Sequence, residues 1–76
     1  MNNKRRKKLD ACVELLVKAW GIVEGALDDE RDMLDNIPAS LQSGSKYERM
    51  EEIIDQLENA SEQIDGAIEC IKEAVA

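Results

Sequence analysis

The chain has 76 residues, of which 36% are charged and 43% hydrophobic, and its formal net charge is −7. This length allows one domain at most, with a core that is marginal unless disulfides, metal or association support it. The net charge argues against a general nucleic-acid binder, because phosphates need cations facing them. With only 3% aromatic residues, the composition indicates long helices or a coiled coil.

The N-terminal segment NNKRRKKLDACVELLVKAWGIVEGAL has the outline of a signal peptide, since a basic start precedes apolar residues. Asp10, Glu14 and Lys18 interrupt the apolar part, so we expect no signal peptide. No apolar run approaches the ~20 residues that a membrane span needs. We therefore expect a cytoplasmic protein without membrane contact, in which Cys12 and Cys70 are free thiols.

Two stretches of the chain repeat apolar residues at alternating steps of three and four, which is the a/d seam of a heptad pattern. The first stripe comprises Leu9, Val13, Leu16, Trp20, Val23, Leu27, Glu30 and Leu34, and the second comprises Met50, Ile54, Leu57, Ser61, Ile64, Ile68, Ile71 and Val75. We predict one all-α domain over residues 1–76, with helices over about 4–34 and about 45–75 and a connection over about 35–44.

Small residues at the neighbouring g positions, such as Ala19, Ala26, Ala60 and Ala67, allow two helices to approach closely. Because the connection is short, the two helices are predicted to run antiparallel as a helical hairpin.

The first helix carries more apolar residues than one partner helix can cover. Leu15 and Ile22 lie at its c positions, where the second helix has mostly polar residues. Such a surplus usually marks an interface, so we predict a homodimer that forms a four-helix bundle; the alternative is that both are scattered surface residues. The residues assigned to self-association are Leu15, Leu16, Trp20, Ile22, Val23, Leu27, Leu57, Ile64, Ile68 and Ile71.

Charge is distributed unevenly along the chain. Residues 1–27 sum to +3, residues 28–36 to −4 and residues 53–76 to −5. Both ends of the first helix therefore oppose its macrodipole. In a hairpin we expect Glu69 and Glu73 to lie beside the basic start of helix one, and Lys46 and Arg49 beside its acidic end.

The connection contains residues that end and begin helices. Pro38 cannot continue a helix, and Asn36 can take the left-handed conformation that closes one. Ser45 and Glu48 match a capping box, with Ser45 as the N-cap of the second helix.

The rest of the connection combines two large apolar residues with polar ones. We expect Ile37 and Leu41 to cover the end of the bundle above Tyr47. Ser40 and Gln42 have no evident local role, so this region is our candidate for contact with another protein. The full candidate set is Asp28, Asp29, Asp32, Asp35, Asn36, Pro38, Ser40, Leu41 and Gln42.

Several kinds of chemistry are missing. The chain has no His, and two Cys cannot build a structural zinc site alone. The carboxylates of residues 28–35 lack the spacing of a calcium loop, and no Gly-rich phosphate cradle is present. We predict no enzyme activity, no cofactor and no metal site. Cys12 and Cys70 fall near the open end of the hairpin, so whether they pair stays open.

The segment DNIPASLQS at residues 35–43, followed by ME at 50–51 and LENA at 57–60, resembles a recurrent type of small protein. These are short acidic helical hairpins encoded by phages and mobile elements of low-GC Gram-positive bacteria. The resemblance implies a hairpin in a bacterial host cell and a phage or prophage setting, in which a host or phage protein is a possible partner. It carries no established activity.

Three hypotheses of function follow. The first is a non-enzymatic, self-associating protein-interaction module. The alternative is an acidic mimic of nucleic acid that inhibits a host defence enzyme or another DNA-binding enzyme. A third is a small regulator that presents KRRKK to nucleic acid, although that run is short and attached to an acidic body.

Overall fold

A computed structural model describes residues 1–76 and shows two long helices without strands. Helix α1 covers Asn3–Asp35, helix α2 covers Ser45–Val75, and one 3₁₀ turn, Ala39–Leu41, lies between them. The two helices pack against each other as a hairpin that measures 59 by 14 by 13 Å. The all-α hairpin predicted from the heptad pattern is confirmed.

The ends of α1 are closed by local hydrogen bonds. The side chain of Asn2 accepts a hydrogen bond from the backbone N–H of Arg5 at 2.8 Å, which satisfies a donor of the first turn. At the other end, Asn36 has φ −90° and ψ 0°, and no residue has a positive φ. The left-handed cap predicted at Asn36 is therefore wrong. The N–H groups of Asn36 and Ile37 instead reach carbonyl groups four and three residues earlier, which tightens the last turn.

The start of α2 also differs from the prediction. Ser45 already belongs to the helix, and Gly44 is the N-cap with φ −82° and ψ 161°. No side chain caps this end, so the predicted capping box of Ser45 and Glu48 is wrong. The backbone N–H of Glu48 donates to the Gly44 carbonyl at 3.2 Å, because the helix begins one residue earlier than a Ser45 cap would allow. Glycine is an acceptable N-cap residue.

The core is a single thin seam between the two helices. Its buried members all lie at a or d positions, and the other members of the two stripes are half-buried, apart from the exposed Trp20. The buried side chains are Leu27, Met50, Ile54, Ser61 and Ile68. Since each helix is covered by only one other, both keep a large outer surface available for contact.

Candidate functional site

One flank of the hairpin carries the polar contacts between the two helices. Arg31 Nη2 donates to Glu58 Oε1 at 2.9 Å, and Arg31 Nη1 lies 3.7 Å from Asp28 Oδ1. The hydrogen bond to Glu58, together with nearby carboxylates, raises the pKa of Arg31 above its usual value. Next to this pair, the hydroxyl of Ser61 donates to Glu24 Oε2 at 2.8 Å. We call this flank the charged face; its ion pair is exposed, so solvent screens it.

Ser61 occupies an a position of the seam, where an apolar residue is usual. It is 9% exposed and is the one buried polar residue of the protein. Its bond to Glu24 satisfies the hydroxyl group, which explains how the seam accommodates a serine. Sequence patterns did not reveal this contact, because it depends on how the two helices are aligned.

The contacts on the charged face define that alignment. Arg31 lies level with Glu58, and Glu24 lies level with Ser61. Because the helices run antiparallel, each step forward along α2 from these contacts corresponds to a step back along α1. The end of α2 is therefore level with about residue 11 of α1. The basic segment, which we define as residues 4–8, therefore lies about one to two turns beyond the end of α2, although Arg6, at an a position, is still half-buried.

The ion pairs expected between the two helix ends are not formed. No cation of the basic segment lies within 4.0 Å of a carboxylate. Glu69 instead approaches Lys72 at 4.0 Å, and Arg49 pairs with Glu52 at 3.1 Å, both within α2. At the basic end, the physical reason is the alignment, which leaves the basic segment beyond the end of α2; at the acidic end, Arg49 pairs within α2 instead.

The opposite flank of the hairpin is free of charge along its middle. It is formed by the c and g rows of both helices, which lie on the other side of the seam from Glu24 and Arg31. Charged residues enter these rows only near the helix ends. We call this flank the uncharged face; its side chains are Cys12, Leu15, Ala19, Ile22, Ala26 and Met33 from α1, and Ile53, Gln56, Ala60, Gln63, Ala67 and Cys70 from α2.

Large apolar side chains project from the uncharged face. Leu15 is 67% exposed, Ile22 is 75% exposed and Met33 is 58% exposed. Sequence analysis identified Leu15 and Ile22 but missed Met33. The same helical repeat could have revealed it, since it follows Ala26 by seven residues in the g row. Exposed apolar side chains on one flank are typical of a contact surface, although Asp29 lies between Ile22 and Met33 on this flank.

The residues assigned to self-association fall into three groups in the hairpin. Leu27 and Ile68 are buried between α1 and α2. Leu15 and Ile22 are largely exposed, whereas Trp20, at an a position of the seam, is 36% exposed. The remaining five are half-buried along the seam, and they are Leu16, Val23, Leu57, Ile64 and Ile71. The structure thus separates residues that hold the hairpin together from residues that remain available to a partner.

The connection forms a small cleft at the closed end of the hairpin. Ile37, Leu41 and Tyr47 are among the residues that line it, and its volume is about 300 Å³. Ile37 and Tyr47 are half-buried, whereas Leu41 is 61% exposed. The prediction that Leu41 covers the bundle end is therefore wrong, since Leu41 lines one side of the cleft while most of its side chain stays exposed. Gln42 has a local role after all, since Gln42 Nε2 donates to the Ile37 carbonyl at 3.3 Å.

The other candidate contact residues lie exposed around this end of the molecule. Asn36, Pro38 and Ser40 are exposed parts of the connection. The carboxylates of the acidic segment, which we define as residues 28–35, have one cation within 4.0 Å: Arg31, which pairs with Asp28. The structure therefore brings the connection and the acidic end of α1 together.

Cys12 is half-buried and Cys70 is exposed, and both thiols are free. No three Asp, Glu or Cys side chains converge closely enough to hold a metal ion. Neither helix contains a stretch that is both long and apolar enough to cross a membrane.

The fold and its two flanks define an antiparallel helical hairpin with one charged and one uncharged face. Comparison of the chain with protein-family models, curated proteins and solved structures gave no match.

Proposed function

We propose that this protein is a non-enzymatic protein-interaction module of the phage or mobile-element type, working in the cytoplasm of a bacterial host. It is a helical hairpin that self-associates, most simply as a homodimer forming a four-helix bundle. The observation that carries this proposal is the uncharged face, from which Leu15, Ile22 and Met33 project into solvent. Burying exposed apolar side chains of this size drives association.

The surface area of the single chain supports the same proposal. The hairpin exposes 5716 Å². A compact protein of its mass, 8.5 kDa, is expected to expose only ~4,700 Å². The excess of about 1,000 Å² is similar to the ~800 Å² that each partner contributes to a stable interface. A dimer formed through the uncharged face would remove an excess of this size.

The chemistry of the clefts agrees with a non-enzymatic role. The cleft on the charged face is shallow, and Glu62 at its edge is exposed. Carboxylates that perform acid–base catalysis usually lie in a concave pocket that excludes water. The cleft at the connection is lined by Ile37, Leu41, Gly44, Ser45, Lys46 and Tyr47, and it contains no carboxylate.

Self-association is tested by measuring the molar mass of the intact chain by light scattering after gel filtration. We expect twice the chain mass of 8.5 kDa, about 17 kDa, at micromolar concentration. Dilution should produce a concentration-dependent decrease toward the monomer mass. A mass of 8.5 kDa that persists to millimolar concentration would contradict the proposal.

A second candidate function is the acidic mimic of nucleic acid. Of the 17 carboxylates, only Asp28, Glu52, Glu58 and Glu69 lie within 4.0 Å of a cation, so most of the negative charge faces solvent without a partner. Such a surface can attract the basic groove of a DNA-binding enzyme.

A duplex-binding assay separates the mimic from a regulator that uses the basic segment. For the mimic we expect no binding to a fluorescent DNA duplex at low salt, together with inhibition of a DNA-binding nuclease that excess duplex relieves. Direct duplex binding that weakens steeply with salt would contradict the mimic and favour the regulator.

A further inference from the structure

Both ends of α1 carry charge that the chain itself leaves unpaired. The basic segment extends beyond the end of α2 and makes no ion pair. Of the carboxylates of the acidic segment, only Asp28 makes an ion pair, and its partner Arg31 is shared with Glu58 of α2. Each set of charges also opposes the helix macrodipole. A single helix thus has an uncompensated positive end and an uncompensated negative end.

We propose that the uncharged face is covered by a second copy of this chain whose α1 runs antiparallel to the first α1. The basic segment of each copy then lies against the acidic segment of the other. This arrangement rests on the self-association proposed above and adds its orientation and register. The partner's acidic segment would also contact the part of α1 that extends past the end of α2.

The exposed side chains of Leu15 and Ile22 determine the register of this pairing. When Leu15 lies opposite the partner's Ile22, twofold symmetry also places Ile22 opposite the partner's Leu15. The same alignment places Ala11 opposite the partner's Ala26 and Lys8 opposite the partner's Asp29. The two charged residues of the c row are therefore paired with opposite charges, while apolar and small residues meet in the middle.

Charge also decides between the two ways in which twofold symmetry can stack the hairpins. If both connections lay at the same end, twofold symmetry would place each α1 over the partner's α2, with both basic segments at one end of the bundle and both acidic segments at the other. Like charges gathered at the same end of the bundle disfavour such a complex. With the connections at opposite ends, each basic segment lies against the acidic segment of the partner. The unpaired charges thus favour the antiparallel arrangement of the α1 helices.

Disulfide trapping tests this register directly. In a chain without native cysteines (C12A/C70A), A11C and A26C are made separately and mixed under mild oxidation. Positions 11 and 26 are about 22 Å apart along a helix, far beyond the ~7 Å limit between the Cα atoms of a disulfide. We therefore expect the mixed A11C–A26C disulfide to form at least tenfold faster than either homodisulfide.

Charge reversal provides a second test in the otherwise native chain. K8E and D29K should each weaken the dimer about tenfold at low salt, and an equimolar mixture of the two should recover it. K72E changes the net charge as much as K8E but lies on the charged face, so it should leave the dimer unchanged. Failure of the mixture to recover affinity would overturn the arrangement.

The two proposals fail in distinguishable ways. A monomeric wild-type chain overturns self-association and this arrangement with it. A dimeric wild-type chain that forms no mixed disulfide, or whose homodisulfides form equally fast, overturns only the antiparallel arrangement. If C12A/C70A is itself monomeric, the charge-reversal mixture alone decides the arrangement.

Discussion

Replacing Leu15 and Ile22 together with glutamate (L15E/I22E) is expected to abolish the dimer. Both side chains are largely exposed in the hairpin, so they contribute little to its core. In the dimer, four of these side chains would be buried, each worth on the order of 1 kcal/mol or more. We expect the dissociation constant to rise at least ~1,000-fold, because glutamate removes that burial and adds like charges. Light scattering should then give the monomer mass, and circular dichroism should show whether the hairpin remains helical.

V17E is the matched control for this experiment. Val17 is also an exposed apolar residue of α1, 48% exposed, but it lies on the flank opposite the uncharged face. Adding one negative charge there should leave the molar mass at that of the dimer. An unchanged dimer for L15E/I22E, or equal losses for L15E/I22E and V17E, would contradict the assignment of the interface to the uncharged face.

The hairpin itself could be predicted because its determinants are local and periodic. The a/d stripes repeat over nearly four heptads in each helix, and burial follows these rows in the structure. Pro38 interrupts the first helical pattern, and α1 ends three residues before it. No long-range information was needed to identify two antiparallel helices.

The helix ends were harder to predict because several capping solutions have similar energies. Ser45 and Glu48 match a capping box, yet the helix begins at Ser45 with Gly44 as its N-cap and without a side-chain cap. Asn36 tolerates a left-handed conformation, but a tightened turn satisfies the same groups. Caps typically differ by only ~1 kcal/mol, so packing of the connection decides among them.

The alignment of the two helices was also beyond the sequence pattern. A heptad seam tolerates a shift by one whole repeat, because the same rows still meet. The bond between Ser61 and Glu24 and the pair formed by Arg31 and Glu58 distinguish one register from the others. The register shows that the basic segment lies beyond the end of α2. Without it, the sequence pattern placed this segment beside Glu69 and Glu73.

The charges on α1 illustrate how a local conflict can indicate function. A sequence selected only for a stable isolated helix would not place cations first and carboxylates last. Natural sequences usually agree across local and global levels, and exceptions concentrate at functional sites. An antiparallel partner removes the conflict at both ends of α1 at once. Under the proposed arrangement, the charges at the two ends of α1 are explained by their pairing with the second copy in the dimer.

Truncating Leu27 (L27A) is expected to be the most damaging single change to stability. Leu27 is 2% exposed and is the most buried side chain between α1 and α2. Leucine-to-alanine changes in a core cost 2–5 kcal/mol, whereas a chain of this length has a total stability of only ~4–11 kcal/mol. We expect the free energy of unfolding to fall by about 3 kcal/mol, measured by urea denaturation followed by circular dichroism at fixed protein concentration.

The matched control is L41A: Leu41 is 61% exposed, so the free energy of unfolding should fall by less than about 0.5 kcal/mol. If L27A lost less than about 1 kcal/mol, Leu27 could not be packed between the helices as the hairpin requires.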